Sequence, residues 1–218
     1  MAVELDGIGM TSRRTRMRLI QRLRESGIAD ERVLTAMSDV PRHIFLDEAL
    51  AHRSYEDTAL PIGYSQTLSQ PYIVARMTEV LMRHKPSRVL ELGTGSGYQT
   101  SILASLVDEV FSVERIKPLL DRARDRLRMM GMRNVLLQHA DGGMGWPDKG
   151  PFDGIIVTAA PRQVPEELKG QLADGGVLVV PIGEHTQMLT EIVRRGDHFE
   201  VNQVEPVRFV PLLGGVVR

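Results

Sequence analysis

Val89 to Tyr98 reads VLELGTGSGY, and the fold is decided there. A short apolar run carries an acid, Glu91, and three glycines follow at alternate positions: Gly93, Gly95 and Gly97. Leu90 to Leu92 suits a buried parallel strand. Glycines at this point allow a tight turn and let backbone approach a ligand closely. Gln99 to Leu106 then reads as a helix whose first N–H groups face the turn. A second apolar run, Val110 to Val113, ends at Glu114, where a carboxylate can accept hydrogen bonds from both hydroxyls of a ribose. Turn and acid together suit an adenosine cofactor. The spacing G-x-G-x-G differs from the dinucleotide fingerprint G-x-G-x-x-G. The form E-x-G-x-G-x-G leans toward S-adenosylmethionine, whose polar tail is an amino acid and not a phosphate.

Outward from this stretch, strands and helices alternate. Strands are expected at Arg88 to Leu92, Val110 to Val113, Val135 to Gln138, Phe152 to Thr158 and Val177 to Pro181. Helices are expected at Gln99 to Leu106, Lys117 to Met130 and Pro165 to Leu172. The pattern predicts an α/β fold with a doubly wound, mostly parallel sheet. Gln187 to Arg194 and Glu205 to Val210, joined near Gly196-Asp197, should add an antiparallel edge. Before the sheet, Ser12 to Ser26 reads as a helix with Ser12 as cap, Met17, Ile20 and Leu23 as its apolar stripe and Gly27 as its stop. Asp30 to Ser38 and Asp47 to Arg53 are two further helices. Met1 to Met10 has no periodicity and is expected to be mobile. Leu60 to Pro71 (LPIGYSQTLSQP) reads as a polar, hydroxyl-rich loop before a helix from Pro71 to Arg83. The division expected is an N-terminal helical segment with this loop over residues 1–85, then a cofactor-binding α/β part over 86–218, the two forming one compact unit.

Composition narrows the function. The chain has 218 residues, 42% of them apolar and 25% charged, as in an ordinary soluble domain. Its formal net charge of −1 gives no overall footprint for nucleic acid or an anionic membrane. Six arginines between Arg13 and Arg24 read as a solvated helix face. Cysteine is absent, which excludes disulfides, thiolate metal sites and a cysteine nucleophile. No apolar run has membrane-spanning length and no signal-peptide pattern opens the chain, so the expected setting is the cytoplasm. The six histidines lack metal-ligand spacing, and neither a G-x-S-x-G elbow nor a P-loop is present. No metal site is expected.

In an open α/β sheet, ligands bind beyond the carboxyl ends of the strands. Here those ends carry Glu91 to Gly97, Glu114, His139 to Gly143 and Thr158 to Pro161. Asp141-Gly142 is read as the adenine edge, with the carboxylate taking the exocyclic amine. An ordinary Asp-Gly turn is the alternative.

Several motifs occur together: VPRHIF at Val40 to Phe45, LPIG at Leu60 to Gly63, QTLSQPYIVARM at Gln66 to Met77, VLELGTGSGYQT at Val89 to Thr100, VERIKPL at Val113 to Leu119, FDGIIVTAAP at Phe152 to Pro161 and VRFVPL at Val207 to Leu212. Through them the chain resembles the protein-L-isoaspartate(D-aspartate) O-methyltransferases from about Ser12 to Leu213. The T-x-S-x-P loop and the V-R-F-V-P-L segment are the more specific marks. The resemblance implies a Rossmann-like class I methyltransferase that moves a methyl group from S-adenosylmethionine to the free α-carboxylate of L-isoaspartyl, and possibly D-aspartyl, residues in damaged proteins. It implies Ser69 as the active-site serine. It implies cofactor contacts at Gln66, Thr67, Leu68 and Tyr72, at Gly93, Gly95 and Gly97, at Glu114, and at Asp141 and Gly142; Glu91 and Thr94 of the turn are counted with them. Ile62, Gly63, Val207, Phe209 and Val210 match segments that line the peptide groove. Tyr72 stands where some members carry a histidine. An extended peptide is expected to pair with the edge near Val207 to Val210. The expected partners are damaged proteins and peptides, with neither nucleic acid nor membrane. Residues Leu213 to Arg218 receive no role.

Three other readings stay open at this point. They are a same-fold methyltransferase acting on RNA or a small molecule, a nicotinamide-dependent oxidoreductase, and a binding module without turnover. Near-zero charge and a missing N-P-P-[YF]-type loop oppose the first, and glycine spacing opposes the second. The intact Ser69 and glycines oppose the third.

Overall fold

The computed structural model describes Leu5 and residues 7–218. The expected mobile stretch, Met1 to Met10, lies partly outside the described residues. Helix α1 (Arg13–Glu25) is capped by Ser12, whose Oγ accepts the Thr15 N–H. It stops at Gly27 (φ +96°), where the Ile28 N–H returns to the Leu23 carbonyl at 3.1 Å. Its buried face is Arg16, Leu19, Ile20 and Leu23, whereas Met17 is 47% exposed. This corrects the expected stripe. Arg16 takes the buried position because its Nη1 donates to the Ser38 and Asp39 carbonyls at the end of α2 (Glu31–Asp39). Helix α3 (Glu48–Ala51) is shorter than expected.

Residues Leu60 to Leu68 form a hairpin and not a loop. Strand β1 (Leu60–Gly63) pairs antiparallel with β2 (Gln66–Leu68). Leu60, Ile62 and Leu68 are buried while Pro61, Gly63 and Thr67 are exposed, the alternation of a half-buried ribbon. Tyr64 and Ser65 both take positive φ (54° and 56°), as a two-residue hairpin turn demands. Helix α4 (Pro71–Met82) follows, with Pro71 at its first position.

The main sheet is assembled from β3 (Arg88–Leu92), β4 (Glu109–Glu114), β5 (Val135–His139), β6 (Phe152–Val157), β7 (Leu172–Ile182), β8 (Gln187–Arg195) and β9 (His198–Val207), with helices α5 (Tyr98–Ala104), α6 (Lys117–Met129) and α7 (Glu166–Gly170) between them. The order is β5-β4-β3-β6-β7-β8-β9; β5 to β7 run parallel and β8 and β9 are antiparallel. Strand β7 starts earlier than expected and contains Gly175-Gly176, so those glycines lie inside the strand and do not end the preceding helix. Strand β9 stops at Val207.

Alternation along each strand splits the core by sheet face. Val89, Val110, Ile156, Val177 and Val179 point to one side and join Leu19, Phe45, Leu60 and Met77 of the N-terminal elements in one apolar cluster. Leu90, Phe111, Val113, Ile155 and Leu178 point to the other, beside Leu168. The sheet reverses its winding at β3, which puts the carboxyl ends of β3, β4 and β6 around one crevice. Among the described residues, no helix is long and apolar enough to cross a membrane.

Candidate active site

A cavity of about 830 Å³ opens at this crevice. Its sheet side is the glycine turn, Glu114 and Thr158. Its opposite side is the β1-β2 hairpin, running on through Ser69 to the start of α4, and the segment after β9, residues 207–213.

The turn is held from both sides. Thr158 Oγ1 donates to the Leu92 and Gly93 carbonyls at 3.0 and 2.9 Å. Gly93 (φ +97°) has no room for a side chain, because a Cβ there would lie 2.4 Å from that oxygen. Glu114 accepts the Gly95 N–H at 2.8 Å on Oε2 and the Ile116 N–H at 2.9 Å on Oε1. Each oxygen keeps a further acceptor site, so the carboxylate can still receive two hydroxyls. Below the turn, Glu91 is completely buried. Its Oε2 accepts from Thr100 Oγ1 at 2.5 Å and Ser112 Oγ at 2.6 Å, and Ser112 Oγ in turn lies 2.6 Å from Thr94 Oγ1. Burial, reinforced by the negative charge of Glu114, pushes the Glu91 carboxyl up to about 8 against the pull of the two hydroxyls.

Two arginines fix the hairpin by its main chain. Arg122 of α6 donates Nη2 to the Ile62 carbonyl at 2.9 Å, and Arg42 donates Nη2 to the Ser69 carbonyl at 2.7 Å. Asp57 accepts the Tyr72 N–H at 2.9 Å and Gln70 Nε2 at 3.0 Å, tying the start of α4 to the same rim. Ser69 lines the cavity, and among the described residues no protein group bonds its Oγ.

The third wall is made by the chain's return across the sheet. Phe209 is held by one side chain: its N–H donates to Gln187 Oε1 at 2.6 Å and its carbonyl accepts from Gln187 Nε2 at 3.1 Å. The Ala160 N–H donates to the Val210 carbonyl, and the Leu212 N–H to the Ala160 carbonyl, both at 2.8 Å. Farther on, the Val217 N–H donates to the Arg115 carbonyl at 2.7 Å and the Lys117 N–H to the Val217 carbonyl at 2.9 Å. Residues 210–217 thus strap the carboxyl ends of β6, β5 and β4.

Glycine turn, ribose-competent acid and hydroxyl-bearing hairpin around one cavity are the features a methyl-transfer site requires. The family model described as protein-L-isoaspartate(D-aspartate) O-methyltransferase (PCMT) matches residues 14–217. The chain belongs to this family. It is 72% identical over its full length, and over all of the relative, to protein-L-isoaspartate O-methyltransferase 1 of Marinobacter nauticus. It is 63% identical to the protein-L-isoaspartate O-methyltransferase of Cellvibrio japonicus, with 98% of each chain covered. Among solved structures, a protein-L-isoaspartate O-methyltransferase superposes with a TM-score of 0.84 at 29% identity, over 92% of this chain and 67% of the other. A putative member from Plasmodium falciparum, in complex with S-adenosyl-L-homocysteine, superposes with a TM-score of 0.81 at 28% identity, over 91% and 98%.

Within this methyltransferase, the cavity gathers most of the residues singled out by sequence. Ser69, Gln66, Thr67 and Leu68 line it from the hairpin side, and Gly93, Thr94, Gly95, Glu114 and Gly142 from the sheet side. Ile62, Val207, Phe209 and Val210 complete it.

Five expected residues stand outside the wall, each for a visible reason. Tyr72 turns away, its hydroxyl donating to Glu205 Oε2 at 3.1 Å. Glu91 lies under the turn. Gly97 faces α6, where a Cβ would come within 3.2 Å of Ala123 Cβ. Gly63 (φ +90°) serves the hairpin turn. Asp141 uses its carboxylate on main chain: Oδ1 accepts the Gly143 N–H at 2.9 Å and Oδ2 the Gly215 N–H at 2.6 Å. Along the stretch where a peptide is expected to pair, the Phe209 N–H and carbonyl and the Val210 carbonyl are already bonded, to Gln187 and Ala160.

Sequence reasoning missed Asp57, Gln99, Ile73 and Leu213 on the wall. Asp57 had a signal of a kind, being an acid just before the LPIG motif, but its partners lie 13 and 15 residues away and nothing local announces them.

Proposed function

We propose that Ser69 orients the acceptor in this enzyme, and that the turn of residues 93–95 with Glu114 seats the cofactor opposite it. The activity is methyl transfer from S-adenosylmethionine to the free α-carboxylate of isoaspartyl residues in damaged proteins. In such a residue the main chain runs through the side-chain carbonyl. Esterification activates the α-carboxyl carbon: the following main-chain nitrogen attacks it, methanol leaves, the succinimide closes, and its hydrolysis returns some normal aspartate. One observation carries the assignment of roles: hairpin serine and ribose-competent carboxylate line the same cavity.

The residues present fit the cofactor. The cavity volume lies within the range of small-molecule sites. The cradle exists because Gly93 lacks the Cβ that Thr158 would exclude. When bound, S-adenosylmethionine supplies an electrophilic methyl on a sulfonium. Glu114 would hold its ribose hydroxyls, and Gly93 and Gly95 would admit its amino-acid end.

The chain's own part is alignment. An α-carboxyl group has a pKa near ~3.5, so at neutral pH it is already the nucleophile and needs no general base. Ser69 donates its hydroxyl proton to one carboxylate oxygen and leaves the other free to attack. The apolar wall of Ile62, Val207, Phe209 and Val210 excludes water and leaves the acceptor poorly solvated. Such orientation supplies several kcal/mol of barrier reduction.

Methyl transfer to matched isoaspartyl and aspartyl peptides tests this reading. The isoaspartyl peptide alone should become labelled. Equal labelling of both would mean that the site does not select a free α-carboxylate.

A further inference from the structure

Arg42 is completely buried, yet among the described residues no carboxylate forms a salt bridge with it. Its donors go to main chain: Nε to the Ser54 carbonyl at 2.8 Å and Nη2 to the Ser69 carbonyl at 2.7 Å. The guanidinium carbon lies 4.9 Å from the centre of the Tyr98 ring. Nη1 reaches no carbonyl or carboxylate, and the guanidinium and the buried Tyr98 hydroxyl are each other's polar neighbours. The acid whose charge it feels is Asp57, whose oxygens are engaged with Tyr72 and Gln70.

Burying a cation without a partner acid is costly, and an apolar side chain of similar volume would cost less. Burial lowers the Arg42 guanidinium only to about 10, so it keeps its charge at neutral pH. General stability does not explain the choice, since Leu60 and Leu68 already anchor the hairpin in the core. The arrangement makes sense through what the fork joins. Ser69 lies on the acceptor wall, and Tyr98 opens the helix that follows the glycine turn. A planar guanidinium can bond two carbonyls and stack on a ring at once, which an ammonium cannot.

We propose that Arg42 is a positioning residue for methyl transfer: it fixes the main chain at Ser69 against Tyr98 and so sets the distance between the acceptor-holding hydroxyl and the cofactor turn. The proposal rests on the role given to Ser69 above. Displacement of a reacting group by about 1 Å can cost on the order of 100-fold in rate.

The test is a double-mutant cycle with R42K and S69A. It is read as kcat, as KM for an isoaspartyl peptide, and as the calorimetric Kd for S-adenosylhomocysteine, in variants shown to be folded by circular dichroism. R42K should lose about 10- to 100-fold in kcat with KM and Kd within about threefold of wild type. R42K/S69A should be about as slow as S69A alone, because a misplaced loop cannot harm a hydroxyl that is gone. A slow S69A beside an R42K of wild-type kcat overturns this proposal alone. So do losses that multiply in the double variant, or a weakened Kd that accounts for the R42K loss. An S69A of wild-type kcat overturns the Ser69 reading and this proposal with it. Should R42K not fold, wild-type enzyme isotope-labelled at arginine answers by nuclear magnetic resonance. The Arg42 Nη resonances should shift when an isoaspartyl peptide joins the S-adenosylhomocysteine complex, and unmoved resonances overturn the proposal.

Discussion

Glu114 Oε2 accepts the Gly95 N–H at 2.8 Å, so the acid that ends β4 holds the turn that follows β3. One carboxylate thereby shapes the cofactor seat and forms part of its surface. Glu114→Gln keeps the volume but turns an amide N–H₂ toward one of two main-chain donors. Charge-assisted hydrogen bonds contribute about 1.5–3 kcal/mol, so cofactor affinity should fall roughly 10- to 100-fold. Calorimetry with S-adenosylhomocysteine measures it, and an unchanged Kd would remove Glu114 from the ribose site.

Ser69→Ala separates orientation from binding. The hydroxyl bonds no protein group among the described residues, so its loss leaves no orphan and should not disturb folding. We expect kcat to drop by about 30- to 100-fold while cofactor Kd stays within about threefold. Steady-state kinetics with an isoaspartyl peptide decides. A variant that is slow only because KM rises would point to uniform substrate binding instead.

Glu91 gives a pH signature. Its carboxyl is raised from 4.5 to about 8 by burial, so the folded state holds a proton that the unfolded chain releases above pH 4.5. The stability that this proton supports is complete below the unfolded value and is lost as pH climbs toward the folded one. The slope is about 1.4 kcal/mol per pH unit for one proton. Glu91→Gln is neutral throughout. Urea titrations between about pH 5 and pH 8 should show the variant gaining on the wild type as pH rises. Parallel curves would mean that Glu91 is ionised across the whole range.

Asp141 holds the strap. Removing its carboxylate in Asp141→Ala frees the Gly215 N–H, and amide exchange at Gly215 and Val217 should quicken. Cofactor affinity should weaken by less than about tenfold, the effect of a looser wall and not of a lost contact. A much larger loss with unaltered exchange at Gly215 would restore the adenine contact read from sequence.

The sheet was legible because its signals are local. Apolar runs of strand length, glycines at alternate positions and an acid at the end of β4 all lie within a few residues of one another. The hairpin was not. Its turn uses Tyr64 and Ser65 at positive φ, where the usual cue is glycine or asparagine. Arg42 could not be read as buried, since charged side chains are almost never fully buried and its acceptors are two distant carbonyls. Phe209 looked like a free edge because the group that pairs with it is a side chain 22 residues earlier, on β8. Residues 213–217 carry no pattern, yet their hydrogen bonds close over the ends of β4 and β5.

The pinned carboxylate of Asp141 also bears on how this enzyme ages. Aspartate before glycine isomerises readily, because the unshielded glycine nitrogen can swing onto the side-chain carboxyl carbon and expel water. Apart from Asp6-Gly7, whose aspartate lies outside the described residues, three such pairs occur: Asp141-Gly142, Asp153-Gly154 and Asp174-Gly175. In each, main-chain N–H groups tether the carboxylate: those of Gly143 and Gly215 at the first, Ser87 and Arg88 at the second, Gly196 at the third. While folded, the repair catalyst immobilises at these three pairs the groups through which it would itself acquire the lesion it mends.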